Sequence, residues 1–364
     1  MIKGICHGYS DFEKIKECGF EWNRIDCPDP YDKDGNANER YIKFKEHCKS
    51  LKEKGFKLMV VSPVPSWTYY SSGFDMRQDG GYQKVIDFHR FIAEDLKGLV
   101  DGWQVANEIN VYFFRSPYDF DEAISYIEAG LKGIREGDKD VLLGYNFSEY
   151  DETSVYMIDK LEQMGANDLC DYMGLDAYHG TWIKGTPDDL INDVKALHEH
   201  TNKPVLVQEF GFASVGDVIE DGELDRAMAQ FGFNDFAEAT ANCEVYLDRL
   251  PERMARHIKA APRKDWEANL RHHEPHILKK WVGGSDEYPH TPEGQAKWLG
   301  EVIEKLGKVG CVMGLMLFAW HDAGNCFFCG EPDCPCETAW GLIDNDGKEK
   351  PSYFAVKKAL ANIR

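Results

Sequence analysis

Eight short apolar segments constrain the fold of this chain more than any other feature of its sequence. They lie near residues 4–7, 21–26, 57–62, 102–108, 141–146, 172–178, 204–210 and 312–320. Between them, stretches such as 39–54 and 82–96 repeat apolar residues at every third and fourth position, as amphipathic helices do. Parallel strands joined by crossover helices close into a barrel at this strand number. The pattern predicts an α/β fold, a (β/α)₈ TIM barrel, with residues 1–364 as one domain.

One connection is much longer than the others. Residues 214–290, after the seventh strand, exceed any ordinary loop and carry helical periodicity of their own. We therefore predict an inserted helical subdomain over 214–290. Because the loops that follow barrel strands build the ligand-binding face, this insertion should lie over or beside a cleft.

Two of the predicted strands end on a glutamate. The fourth strand runs into Asn107-Glu108 and the seventh into Glu209, 101 residues later, which is the separation of three βα units of roughly 30 residues each. A single glutamate at a strand end is usually an ordinary polar terminus. Two glutamates at the same end of a barrel suit the cleavage of a glycosidic bond. In that reaction one carboxylic acid protonates the leaving oxygen and the other carboxylate attacks the anomeric carbon.

These residues carry a family resemblance that covers nearly the whole chain outside 214–290. Asn107-Glu108, Glu209 and Trp320, at the ends of the fourth, seventh and eighth strands, resemble the pattern of clan A glycoside hydrolases, which include the family 5 cellulases and mannanases. The resemblance implies that Glu108 is the acid/base, Glu209 the nucleophile and Asn107 a contact to the sugar 2-hydroxyl. It also implies retention of configuration through a covalent intermediate, with carboxyl groups about 5–5.5 Å apart.

Two further residues are candidates to support the nucleophile. A carboxylate that must stay ionised is stabilised by hydrogen-bond donors such as a guanidinium or a phenol. Arg24, near the end of the second strand, resembles the second-strand arginine common in family 5, and Tyr178 ends the sixth strand. The alternative for Arg24 is a buried ion pair with Asp26 or Asp176.

Tryptophans after the strands are candidates for sugar binding, because the apolar faces of sugar rings stack on aromatic side chains. Trp320 is the strongest candidate from its place at the end of the eighth strand. Trp67 after the third strand, Trp182 after the sixth and Trp340 in the last loop are weaker candidates, and the alternative for each is that it only packs its own loop.

Four cysteines are clustered in the loop after the eighth strand, with the pattern C-x₂-C-x₄-C-x-C. They are Cys326, Cys329, Cys334 and Cys336. Four thiolates can enclose one Zn²⁺ tetrahedrally, and a site with no open position is structural. Two disulfides are the alternative in an exported protein. The spacing of the first pair, that of a zinc knuckle, favours a zinc-binding loop.

The overall charge excludes some partners. Lys plus Arg number 42 and Asp plus Glu 63, so the formal net charge of −21 opposes nucleic acid and anionic membranes. Apolar runs such as 312–320 are far shorter than the ~20 residues that span a bilayer. The first residues enter a strand without the pattern of a signal peptide, which predicts a cytoplasmic protein unless a signal was removed.

Together these features predict a retaining hydrolase of β-linked glycans that needs no cofactor for catalysis. The preferred form is an endo-β-1,4-glycanase degrading plant-type polysaccharide, and an exo-β-glycosidase is the near alternative. A barrel that binds glycans without catalysis is a third possible function. A metal-dependent isomerase or amidohydrolase barrel would need several strand-end histidines, and only His7, His179 and His321 are available. A carbohydrate is the expected partner, and the sequence does not indicate the oligomeric state.

Overall fold

The predicted barrel is present in the computed structural model, which describes residues 1–363. Eight parallel strands pair in sequence order, and β8 closes on β1. The strands are β1 (Ile2–Cys6), β2 (Trp22–Asp26), β3 (Lys57–Val61), β4 (Gly102–Val105), β5 (Leu142–Ser148), β6 (Met173–Ala177), β7 (Val205–Phe210) and β8 (Val312–Leu317).

Helices surround the barrel, and several begin at a capping side chain. The Asp119 carboxylate accepts a hydrogen bond from the backbone N–H of Glu122, and Thr291 does the same for Gly294, so each satisfies a helix-end donor. The helices are α1 (Phe12–Cys18), α2 (Glu39–Glu53), α3 (Pro65–Ser72), α4 (Gly81–Asp95), α5 (Tyr112–Arg115), α6 (Phe120–Gly137), α7 (Glu152–Gln163), α8 (Pro187–Thr201), α9 (Glu223–Ala227), α10 (Phe236–Ala241), α11 (Cys243–Leu247), α12 (Glu252–Ala260), α13 (Trp266–His272), α14 (Glu274–Leu278), α15 (Pro292–Leu306), α16 (Pro335–Thr338) and α17 (Pro351–Asn362).

Three apolar clusters hold these elements together. The largest packs the strands against the surrounding helices, and a small one fills the barrel interior with side chains such as Trp22, Met59 and Met316. The third, here called the wall cluster, joins the 214–290 segment to the loop after β8. It contains Tyr246, Trp281, Cys326, Cys334 and Trp340.

The 214–290 segment contains the short helices α9 to α14. None of these helices exceeds nine residues, too few to be stable alone, so their order depends on the wall cluster. Among the described residues, no helix is long and apolar enough to cross a bilayer.

Two strands end earlier than the sequence predicts. β4 stops at Val105 because Ala106 adopts a left-handed conformation with φ of 55°, which turns the chain away from the sheet. β8 stops at Leu317. Asn107, Glu108 and Trp320 therefore lie in the loops beyond their strands, where side-chain direction no longer follows strand alternation.

Candidate active site

A cavity of about 620 Å³ opens at the carboxyl ends of the strands. Strand-end residues form its floor, among them Arg24, Asn107, Glu108, Tyr178 and Glu209. Its walls come from α5, from the 214–290 segment and from the loop after β8. The structure thus brings these five predicted site residues, together with the predicted Trp67 and Trp182, to one cavity.

Glu209 is held by both of its predicted supports. Nη1 of Arg24 donates to Oε1 of Glu209 at 2.6 Å, and the Tyr178 hydroxyl donates to Oε2 at 2.5 Å. The Arg24 side chain is only 2% exposed and the Glu209 side chain 12%. Two strong donors on a nearly buried carboxylate fix its orientation.

Arg24 uses its other nitrogens to organise the floor of the cavity. Its Nε donates to Oε1 of Gln104 at 2.8 Å, and its Nη2 donates to Oδ1 of Asn107 at 2.7 Å. The ion pair is therefore with Glu209, and the alternative pairing with Asp26 or Asp176 is wrong. A planar guanidinium suits this role because its donors have fixed directions.

The Asn107 amide is oriented by donors that all converge on its oxygen. Oδ1 accepts from Arg24, from Nε2 of Gln104 at 3.0 Å and from Nδ2 of Asn146 at 3.0 Å. Its Nδ2 has no hydrogen-bond partner within residues 1–363, and the residue lines the cavity. An amide held in this way can present its N–H groups to a ligand hydroxyl.

Glu108 lies in a tight turn that the surrounding residues hold in place. Its own φ is 40°, which is a strained value for a residue with a Cβ. Its backbone N–H donates to Oδ1 of Asn146 at 3.0 Å. Two residues earlier, the Ala106 N–H donates to Ser62 Oγ at 3.0 Å and its carbonyl accepts from Gln104. Such strain persists at functional sites because neighbouring contacts compensate for it.

Burial changes the acidity of Glu108. Removal from water, and then the charge of Glu209, raise the pKa of Glu108 to about 8. Asp176 shares a hydrogen bond with Glu108 and also accepts from Nδ2 of Asn146 at 2.5 Å. Burial raises the pKa of Asp176 as well. The surroundings of Glu108 therefore favour its protonated form, whereas Glu209 in the same cavity is paired with arginine.

This environment predicts that Glu108→Gln makes stability less dependent on pH. The pKa of Glu108 in the folded protein lies above its value in the unfolded chain. Its contribution to the free energy of unfolding is therefore complete below about pH 4.5 and is lost as the pH rises from there through about 8. Gln cannot ionise, so the melting temperature of the variant should fall less between pH 6 and pH 9 than that of the wild type. Glu301→Gln, which removes a carboxyl group away from the cavity, should keep the wild-type dependence, whereas equal falls in all three proteins would contradict the prediction.

The predicted tryptophans divide into two groups. Trp67, Trp182 and Trp340 line the cavity. Trp320 does not: its indole is fully buried, donates to Oδ2 of Asp11 at 3.4 Å and packs near Tyr353 of α17. The placement of Trp320 as a sugar platform is thus wrong, because the chain turns after β8 and directs Phe318 into the cavity instead.

Several residues of the site were not among the predicted catalytic or sugar-binding ones. Asn146 and Asp176 lie buried on β5 and β6, where they form hydrogen bonds with Asn107 and Glu108, and their polar character within apolar strands was the available signal. Phe113, Phe328 and Glu337 come from loops and short helices. No periodicity identifies residues of this kind, because their positions depend on how the loops fold over the barrel.

The cysteine-rich loop brings its thiols together. The Sγ atoms of Cys326, Cys329 and Cys334 lie within 4.8 Å of one another, and all three residues are buried. Cys336 lies within hydrogen-bonding reach of Cys334 but outside this group of three. None of the cysteines forms a disulfide among the described residues.

Solved structures with the same fold are numerous, although no family profile and no curated protein matches the sequence. A family 53 glycoside hydrolase catalytic domain from Ignisphaera aggregans is 18% identical, with a TM-score of 0.60 over 99% of this chain and 96% of the other. The fold is shared with glycoside hydrolases. A fungal β-1,4-galactanase is 14% identical with a TM-score of 0.62, over 98% of this chain and 94% of the other.

A family 39 glycoside hydrolase from Bacteroides cellulosilyticus is also similar, with 13% identity and a TM-score of 0.63. It covers 99% of this chain, which spans 63% of that enzyme's length. The predicted resemblance to clan A barrels is therefore confirmed in the fold.

Proposed function

We propose that this protein is a retaining glycoside hydrolase acting on β-linked sugars, with Glu209 as nucleophile and Glu108 as acid/base. One observation carries the proposal. Arg24 and Tyr178 donate hydrogen bonds to Glu209 and fix its orientation, while burial in the same cavity raises the pKa of Glu108 to about 8. Two carboxyl groups in opposite protonation states are what double displacement requires.

In the first step the Glu209 carboxylate attacks the anomeric carbon. The bond from that carbon to the glycosidic oxygen breaks, and Glu108 gives its proton to the departing oxygen. In the second step Glu108, now a carboxylate, takes a proton from water, whose oxygen attacks the same carbon and releases Glu209. Asn107 is placed to donate to a sugar hydroxyl through Nδ2, a contact that can strengthen in the transition state.

The shape of the cavity favours short substrates. A volume of about 620 Å³ lies within the range of sites that hold small ligands, and residues of α13 and α14 wall one side. This enclosure supports exo action on oligosaccharides more than the endo-β-1,4-glycanase predicted from the sequence. Size analysis of products from β-1,4-glucan, xylan and mannan tests the difference. Single sugars released from chain ends support exo action, and mixed oligosaccharides support endo action.

Stereochemistry and rescue by an external nucleophile test the proposal itself. Proton NMR of the first product formed should show retained β configuration. With azide added, Glu108→Ala should form a β-glycosyl azide and Glu209→Ala an α-glycosyl azide. The reason is that the space left by each deleted side chain opens on a different face of the sugar. Inverted product would contradict the mechanism. Wild-type protein that binds glycans without cleaving any β-glycoside in the panel would support the glycan-binding alternative.

The acidity of Glu108 predicts a basic limit to activity. Since its pKa is raised to about 8 by burial and by Glu209, kcat/KM should fall about tenfold per pH unit above that value. Dinitrophenolate, the leaving group of a dinitrophenyl glycoside, departs without a proton. For this substrate kcat/KM, which reports the first step, should therefore show no such fall. The other ionisable groups that face Glu108 are Arg24, Asp176 and Glu149. If kcat/KM fell equally at high pH for both substrates, Glu108 would be excluded as the acid.

A further inference from the structure

The thiol cluster has the chemistry and the geometry of a metal site. A tetrahedral Zn–S bond of about 2.3 Å places sulfurs about 3.8 Å apart, so thiols already within 4.8 Å need only small adjustments. Sulfur ligands prefer Zn²⁺ and other soft ions to Mg²⁺ or Ca²⁺. We propose that Cys326, Cys329, Cys334 and Cys336 bind one Zn²⁺ and that this ion holds one wall of the active-site cavity.

The local backbone supports this assignment. The Cys329 N–H donates to Sγ of Cys326 at 3.4 Å, and a donor of this kind stabilises a thiolate. Gly330 follows with φ of 84°, a left-handed value that glycine adopts without strain, and its N–H donates to the Cys326 carbonyl at 2.9 Å. The turn therefore presents both sulfurs of the first pair to the same point.

The grouping of the sulfurs favours a metal over disulfides. A disulfide joins sulfurs in pairs, whereas here Cys326, Cys329 and Cys334 are all mutually close and Cys336 is next to Cys334. Each thiol loses its proton on binding Zn²⁺, which leaves a site without an open position. The ion therefore has a structural role, and the glycosidic chemistry proposed above proceeds without it.

The metal loop is connected directly to the cavity. The Trp340 indole N–H donates to the Cys336 carbonyl at 2.7 Å, and the Trp340 ring lies 5.1 Å from the ring of Tyr178, which donates to Glu209. Phe328, between the first two cysteines, stacks on His273 with ring centroids 3.5 Å apart. Loss of the ion should therefore loosen both the cavity wall and the packing around Tyr178.

Metal analysis of the full-length protein tests the site without reference to activity. Purified wild type should contain about one Zn²⁺ per chain by mass spectrometry. Cys334→Ser should lose it, and Cys311→Ser, a half-buried cysteine outside the cluster, should retain it. Because Cys334→Ser can fail to fold, the wild type should also be reconstituted with Co²⁺, whose visible absorption identifies a tetrahedral thiolate site. The proposal would be overturned if the purified wild type contained no metal and the four cysteines were joined in disulfides.

A second measurement tests the link to the cavity. Removing Zn²⁺ with a chelator should lower the melting temperature and raise KM several-fold, because the cavity wall loses its support. Added Zn²⁺ should restore both values. An unchanged melting temperature after verified metal loss would contradict the structural role, and this result would stand even if no substrate were known.

Discussion

Glu209→Gln should reduce kcat by about 10⁵-fold, the order of loss found when an enzyme nucleophile is removed. The amide cannot form the covalent bond to the anomeric carbon, and its NH₂ group would face the Arg24 guanidinium that now donates to Oε1. Binding of an oligosaccharide should change far less, because the cavity walls remain. The measurement is kcat and KM on an aryl glycoside, with substrate binding followed separately by calorimetry.

Glu301→Gln is a matched control for this variant. Glu301 also accepts from a tyrosine and a cation, Tyr288 at 2.8 Å and Lys305 at 2.9 Å, but it lies on α15 away from the cavity. Its replacement should leave kcat unchanged. A loss of less than tenfold in Glu209→Gln would exclude a covalent role for Glu209.

Arg24→Met should damage both activity and folding. The substitution leaves a nearly buried Glu209 charge without its partner, and breaking a buried pair in this way costs about 3–5 kcal/mol of unfolding free energy. It also removes donors to Gln104 and Asn107. We expect kcat/KM to fall at least about 10³-fold, because the nucleophile and the sugar-binding amide both lose their orientation.

A double variant separates the causes of this effect. In Arg24→Met/Glu209→Gln the unpaired charge is gone, so part of the lost unfolding free energy should return. Arg24→Lys should remain impaired in kcat, because one ammonium group cannot reach all three acceptors in fixed directions. Additive destabilisation in the double variant, measured by urea unfolding, would show that the pair with Glu209 is not what stabilises Arg24.

Much of the fold follows from the sequence because barrel strands are short, apolar and regularly separated. All eight predicted strands are present, and the helices over 39–54 and 82–96 lie within a residue or so of their predicted bounds. The site could be predicted to the extent that its residues follow strands. Arg24 and Glu209 are on β2 and β7 themselves, and Tyr178 comes directly after β6.

The predictions become less reliable where the chain leaves the sheet. Trp320 was assigned to the cavity from its place near a strand end, but the chain turns after Leu317 and the indole packs against α17. The network around Asn107 was also missed, since a linear sequence does not show that Asn146 on β5 and Gln104 on β4 donate to the same oxygen. Loop geometry and convergence across strands decide such contacts.

The wall cluster has a consequence for how the protein loses function under stress. It contains Tyr178 as well as side chains from α10 to α14, while the strands and the outer helices pack in a separate cluster. Short helices that depend on one apolar cluster tend to open as a unit at a free-energy cost below that of global unfolding. Hydrogen exchange and proteolytic nicking should therefore begin in 214–290, and inactivation should precede the collapse of the barrel, because the tyrosine that orients Glu209 belongs to the part that opens first.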